Sequence, residues 1–210
     1  MSAIPTSDMP GHRKLHDRVY ASLDRCQESQ AVEFKGSADW QSLKWHVICT
    51  TMAMCNLRDG GVIIVGASER GDTWDLSGIE TNHLGTYDID DIIDSINKYA
   101  SPPIDIEIVL VRYSNQKTFL SIQVPEFEQT PCICKKNSPD DVKLFNRGDI
   151  LIRPPGKPQT KKVEEAGELH DLLELAAEKR ARRMIEAAHR IGFVPSKPAS
   201  RRFDDELKGL

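Results

Sequence analysis

The chain has 210 residues, 39% of them hydrophobic and 29% charged, with a formal net charge of −4. That length and balance suit one folded domain with extensions, large enough to bury a core without disulfide staples, and exclude a collagen-like or wholly disordered chain. The longest apolar run, Val62 to Val65, is far too short for a bilayer, residues Met1 to Gly11 lack the apolar stretch of a secretory signal, and the five cysteines show no disulfide-framework spacing, so a cytoplasmic protein with no membrane partner is expected.

Residues 1–11 carry no periodicity and read as a flexible arm. From His12, the positions Leu15, Val19, Leu23 and Cys26 fall on one helical face. Ala31 to Lys35 is strand-like, and Ser37-Ala38-Asp39 offers caps for a helix from about Trp40 to Leu57 with a broad apolar stripe. Asp59-Gly60-Gly61 ends that helix, because glycine accepts the left-handed backbone. Val62-Ile63-Ile64-Val65 is apolar on both faces, as central strands are. Gly66 to Gly78 reads as a polar loop, and Asp88 to Tyr99 as a helix built on Ile89, Ile92, Ile93 and Ile96.

Ser101-Pro102-Pro103 stops that helix. Ile104, Ile106, Ile108 and Leu110 then alternate with other residues as a strand with one apolar face, and Thr118 to Val124 pairs with it as a hairpin. Cys132 to Lys135 and Asp149 to Arg153 are further short strands, with Cys132 and Cys134 read as strand residues rather than zinc ligands. Val163 to Ile191 is a long helical pattern whose second half is basic, and residues 195–210 read as a flexible tail. The expected organisation is an arm (1–11), a domain (12–162), a basic helix (163–194) and a tail (195–210). The expected class is α+β, with a mixed, mainly antiparallel sheet, flanking helices and a C-terminal helical extension.

Charge is unevenly spread. Residues 59–107 hold eleven acids and two bases, whereas residues 179–202 hold eight bases and one acid. A basic tail beside an acidic body fits polyanion binding, and equally a tail folded back on the body. No phosphate-binding glycine loop, dinucleotide fingerprint, nucleophile elbow, helix-turn-helix or zinc finger is present. The segment Glu28-Ser29-Gln30-Ala31-Val32-Glu33-Phe34-Lys35 carries the chemistry that remains. On a strand Glu33 and Lys35 share one face while Val32 and Phe34 enter the core on the other. A carboxylate beside a lysine can hold a divalent cation and stabilise a phosphate transition state; a third acid is usually needed, and Glu28 lies just upstream while Glu69 lies just past the central strand Val62 to Val65.

The order of the pieces resembles the Schlafen AlbA-type domain. The matching pieces are Glu28 to Lys35, Met52-Ala53-Met54-Cys55-Asn56, the run Gly60 to Gly66, Gly78-Ile79, Pro102-Pro103, Pro131 and Asn146 to Arg153, spanning roughly residues 25–165. The resemblance implies a nucleic-acid-binding module or, as in some animal members, a metal-dependent endoribonuclease. Carried over, the nuclease acids are Glu28, Glu33 and Glu69 with Lys35 beside them, and magnesium or manganese as the metal. The family commonly has Gly-Val-x-Asp where this chain has Gly66-Ala67-Ser68-Glu69, one carbon longer at the last position.

Three readings follow. In the first, DNA or RNA is bound through phosphate contacts from Lys135, Lys136, Lys143, Arg147, Arg153, Lys157, Lys161 and Lys162, with Arg180 and Arg183 of the C-terminal helix. In the second, the three acids cleave RNA. In the third, the C-terminal helix is an adaptor or homodimer surface through Leu169, Leu172, Leu173 and Ala176.

Overall fold

The computed structural model describes residues 13–71, 73–114 and 116–193, so the expected arm 1–11 and tail 195–210 lie outside the described residues. Helix α1 (Arg13–Arg25) buries Val19 and Leu23. Strand β1 (Val32–Lys35) leads to α2 (Trp40–Cys55), whose first turn is capped by the Asp39 carboxylate, accepting from Ser42 N–H at 3.0 Å. The return into β2 (Gly61–Val65) runs through Gly60 at φ 62°, where a Cβ would stand 2.0 Å from the Val124 carbonyl oxygen. No side chain fits there, whatever its φ preference.

Next come β3 (Ser68–Arg70), β4 (Thr73–Asp75), the single turn α3 (Thr81–Leu84) and α4 (Ile89–Asn97). Short β5 (Ala100–Ser101) precedes the hairpin of β6 (Glu107–Arg112) and β7 (Thr118–Val124). The chain closes with β8 (Ile133–Cys134), β9 (Leu151–Ile152), β10 (Lys161–Lys162) and the long α5 (Ala166–Arg190).

The main sheet has the order β1-β2-β7-β6, with β1 parallel to β2 and the other pairs antiparallel. Three two-stranded antiparallel pairs complete an α+β architecture, as expected. Alternation along β2 assigns its residues to two cores. Ile63 and Val65 face α2 and α4, together with Ile108, Leu120 and Ile122. Val62 and Ile64 face α1, with Phe34, Val109, Val111 and Phe119. Both faces of the sheet are therefore covered, which is why β2 is apolar throughout.

The structure departs from the sequence reading in three places. The polar loop after β2 contains the β3–β4 hairpin, whose strands have too few apolar residues to announce themselves. The strand expected from Ile104 begins at Glu107, because the Asn97 side chain binds both the N–H (2.8 Å) and the C=O (3.2 Å) of Ile104 and keeps it out of the ladder. That strand is also apolar on both faces, since Val109 and Val111 are buried under α1. Finally, α5 packs on a narrow stripe of Leu172 and Leu175, leaving Leu169 and Leu173 exposed.

Candidate functional site

The parallel pairing of β1 with β2 uses the carbonyls of Ala31 and Lys35, which accept from Val62 and from Gly66 and Ala67. The groups of Val32 and Phe34 point the other way, outward. Ser29 folds back to exchange both backbone hydrogen bonds with Val32, and the Glu28 carboxylate accepts from Phe34 N–H at 3.0 Å. Burial raises the Glu28 pKa, and the neighbouring Glu33 charge adds to it, against the Phe34 hydrogen bond and the charges of Lys35 and Arg153.

Glu33 lies in register with Ile63, on the face that α2 covers, and is 3% exposed. Its Oε1 is 2.6 Å from Lys35 Nζ and 2.8 Å from His46 Nε2 of α2. A carboxylate only accepts, so the His46 ring proton sits on Nε2. On the other side, Arg153 Nη2 is 2.7 Å from Oε2 and donates to the Ser29 carbonyl at 3.0 Å. The Arg153–Glu33 contact is close but off the axis of a hydrogen bond, and Arg153 Nε is buried with no partner among the described residues. Burial by itself would raise the Glu33 pKa. The hydrogen bonds from His46 and Lys35, then the charges of Lys35 and Arg153, overcome that and bring it down to about 2.

Arg153 thus does something other than the sequence reading assigned it. It was expected among phosphate contacts, but it is 2% exposed and tied to Glu33 and Ser29. Gln30 Nε2 donates to the Arg153 carbonyl at 3.0 Å and fastens the same segment. The cluster holds the start of β1 to the chain after β9.

Of the three expected acids, Glu28 and Glu33 are neighbours at β1, and Glu69 lies on β3. Gly66 and Ala67 N–H bind Lys35 C=O, and a Cβ on Gly36 would touch Ser68, so β3 starts where β1 stops. Glu69 follows on β3 as an exposed residue opposite Trp74. Among the described residues, no group of three or more His, Cys, Asp or Glu side chains is gathered to hold a metal ion. Glu33 already has three cationic or proton-bearing neighbours, so this arrangement does not fit a magnesium or manganese ion, and no catalytic step through one is derived.

The expected phosphate-contacting residues divide into groups. Lys135, Lys136, Lys143 and Arg147 are exposed and in no ion pair among the described residues. They lie on a loop spanning 135–148 that is built around Ser138, whose Oγ accepts from Leu144 N–H (2.8 Å) and Phe145 N–H (3.1 Å). The buried Phe145 anchors it, and Asn137 Oδ1 accepts from Arg147 N–H at 2.8 Å. Asp140 and Asp141 are exposed in the same loop. By contrast, Lys161 pairs with Glu168 (2.6 Å), Lys162 with Asp149 (2.7 Å) and Arg183 with Glu128 (2.9 Å). Lys157 and Arg180 are exposed. The basic half of α5 therefore folds back on the body, onto Glu126 (Lys179, 3.0 Å) and Glu128 rather than onto the acidic stretch 59–107.

Residues 28–161 match the family described as Schlafen, AlbA_2. The chain belongs to this family. No curated protein matches it. The solved structures similar to it include these two. One is the DIP2311 protein from Corynebacterium diphtheriae, at 18% identity and a TM-score of 0.48, covering 77% of this chain and 28% of that one. The other is the N-terminal domain of a RecG-related protein from Nitrosomonas europaea, at 22% identity and a TM-score of 0.42, covering 75% of this chain and 97% of that one. The chain thus spans little more than a quarter of the Corynebacterium protein. Within the family match lie β1, the Glu33 cluster and the basic loop.

Two partners in the cluster carry no sequence signal for their role. Spacing along α2 names no carboxylate partner for His46, and Gln30 sits in the matched motif without a partner to suggest. Asn56, part of the matched motif, proves to be buried. Its amide donates to the carbonyls of Cys132 and Leu151, both at 2.9 Å, and accepts from Cys132 N–H at 2.7 Å, clipping α2 to two later segments. No helix among the described residues is long and apolar enough to cross a membrane.

Proposed function

We infer that this chain binds DNA or RNA through the phosphate backbone, with the 135–148 loop as the principal contact. The observation that carries this reading is the set of four exposed cations, in no ion pair among the described residues, on a loop braced by Ser138 and Phe145. A loop whose backbone is already braced loses less backbone freedom on meeting a polyanion, and its cations read charge rather than sequence. Membership of the Schlafen, AlbA_2 family supports a nucleic-acid-related role. Lys157 and Arg180 add exposed positive charge, while Lys161, Lys162 and Arg183 contribute only by leaving their present acidic partners.

The test is fluorescence anisotropy with labelled DNA and RNA over a range of salt. The expected result is a steep loss of affinity with salt, and a slope that flattens by about 3 to 4 when Lys135, Lys136, Lys143 and Arg147 are all changed to glutamine. A slope that is already flat in the unaltered protein overturns the reading.

A second reading, a magnesium- or manganese-dependent endoribonuclease, draws on Glu28 standing beside Glu33 at the edge of β1. It requires Glu33 to exchange its cationic neighbours for a metal. Because Glu33 also holds the fold, the informative variants are Glu28→Gln and the exposed Glu69→Gln. Metal-dependent cleavage that both variants abolish supports this reading, and cleavage that survives both removes it.

A further inference from the structure

A half-open cavity of about 340 Å³ between α2 and α4 takes no part in the arrangement described above. Trp45 forms part of its wall and is only partly buried. Its ring meets Tyr99 edge-on at 5.3 Å between centroids, and Tyr99 meets Phe145 in the same way at 5.6 Å. Around this aromatic wall stand Lys44, Lys98, Asp91 and Asp94, none of them in an ion pair among the described residues.

The cavity and the basic loop form one continuous surface. Pro139 of the loop lines the cavity, Lys135 N–H donates to the Tyr99 carbonyl at 2.7 Å, and Lys135 Nζ donates to the Asn97 carbonyl at 3.0 Å. Phe145, which anchors the loop, is the end of the same aromatic row.

An apolar plane, carboxylate acceptors and flanking ammonium groups are the complements of a base face, a base amino edge and a phosphate. The volume is at the low end for small-ligand sites and suits one base with its sugar. A base inside a duplex cannot enter without leaving its stack. We propose that the cavity between α2 and α4 receives a splayed base of a single-stranded polynucleotide whose phosphates lie along the 135–148 loop, with Trp45 stacking on the base and Asp91 or Asp94 accepting from its amino edge. Guanine is the best match, because its N1–H and N2–H₂ present adjacent donors to a single carboxylate.

This assignment rests on the nucleic-acid reading above, and the experiment separates the two. Anisotropy is measured at one salt concentration with a guanine-containing single strand, a guanine-free single strand and a duplex of equal length. The unaltered protein binds the guanine-containing strand about tenfold more tightly than the duplex. Trp45→Leu removes the preference for single strands over duplex, and the surface pair Asp91→Asn with Asp94→Asn removes the preference for guanine, both leaving the salt slope unchanged. The Asp variants stay informative even where Trp45→Leu lowers stability. Equal affinity for single strand and duplex with a steep salt slope overturns the base site and leaves phosphate binding standing. Guanine preference that survives loss of both acids also overturns it. Absence of binding to every probe removes both.

Discussion

The Glu33 cluster and the 135–148 loop use the same residue types to opposite ends. In the first, Arg153 and Lys35 surround one carboxylate and His46 completes the shell, with Glu33 and Arg153 all but hidden from water. In the second, lysines and an arginine stand in solvent, without acidic partners among the described residues, on a loop braced by the Ser138 and Asn137 side chains. The difference lies in desolvation. A charge removed from water must be matched where it stands, whereas an exposed charge is free to meet a polyanion that arrives later. Position in the fold, not residue type, separates a cation that holds the protein together from one available to a partner.

The sharpest way to break this contrast is to unpair the buried side. Arg153→Met is expected to cost about 3 kcal/mol in urea denaturation, because it leaves the buried Oε2 of Glu33 without its cationic neighbour while Lys35 and His46 still hold Oε1, and Glu33→Leu in the same chain recovers part of that loss. A double variant no better than the single would mean that packing, and not the orphaned charge, sets the penalty.

Acid should dismantle the same cluster. Glu33 has its pKa lowered to about 2, so its contribution is complete above the unfolded value near 4.5 and is lost as pH falls toward 2. The amount is on the order of 3 kcal/mol. Glu28, with its pKa raised, works in the opposite sense, so the quantity to measure is the stability difference between the unaltered chain and Glu33→Gln across that window.

On the exposed side, changing Lys135, Lys136, Lys143 and Arg147 to glutamine should leave the unfolding free energy within about 0.5 kcal/mol per substitution while the affinity for nucleic acid falls. A large stability loss would show that the loop cations are structural after all. The smallest effect belongs to Arg183→Ala, which breaks the partly exposed pair with Glu128 and should cost less than about 1 kcal/mol by thermal melting.

Local periodicity carried much of the architecture into the sequence. Alternation marked β7, the continuous apolar run marked β2 as central, and the Glu-x-Lys spacing correctly placed Glu33 and Lys35 on one face with Phe34 on the other. What escaped is non-local or polar. Arg153 and Glu33 are 120 residues apart, and no period connects them. Strands β3 and β4 are too polar for an alternation signal, and the Asn97 side chain that delays β6 looks like any helix-terminal asparagine. The aromatic row from Trp45 to Phe145 joins three distant stretches of chain, so a stacking wall could not be read from spacing.

The backfolding of Glu28 and Ser29 onto Val32 and Phe34 has a consequence for how the protein behaves in a crowd. A sheet whose outermost strand leaves its hydrogen-bonding groups bare is a template for polymerisation with neighbouring molecules. Here two side-by-side backbone bonds occupy Val32 and one carboxylate occupies the Phe34 N–H, so replacing Glu28 by alanine would bare that N–H as a first foothold for a strand of another copy of the chain.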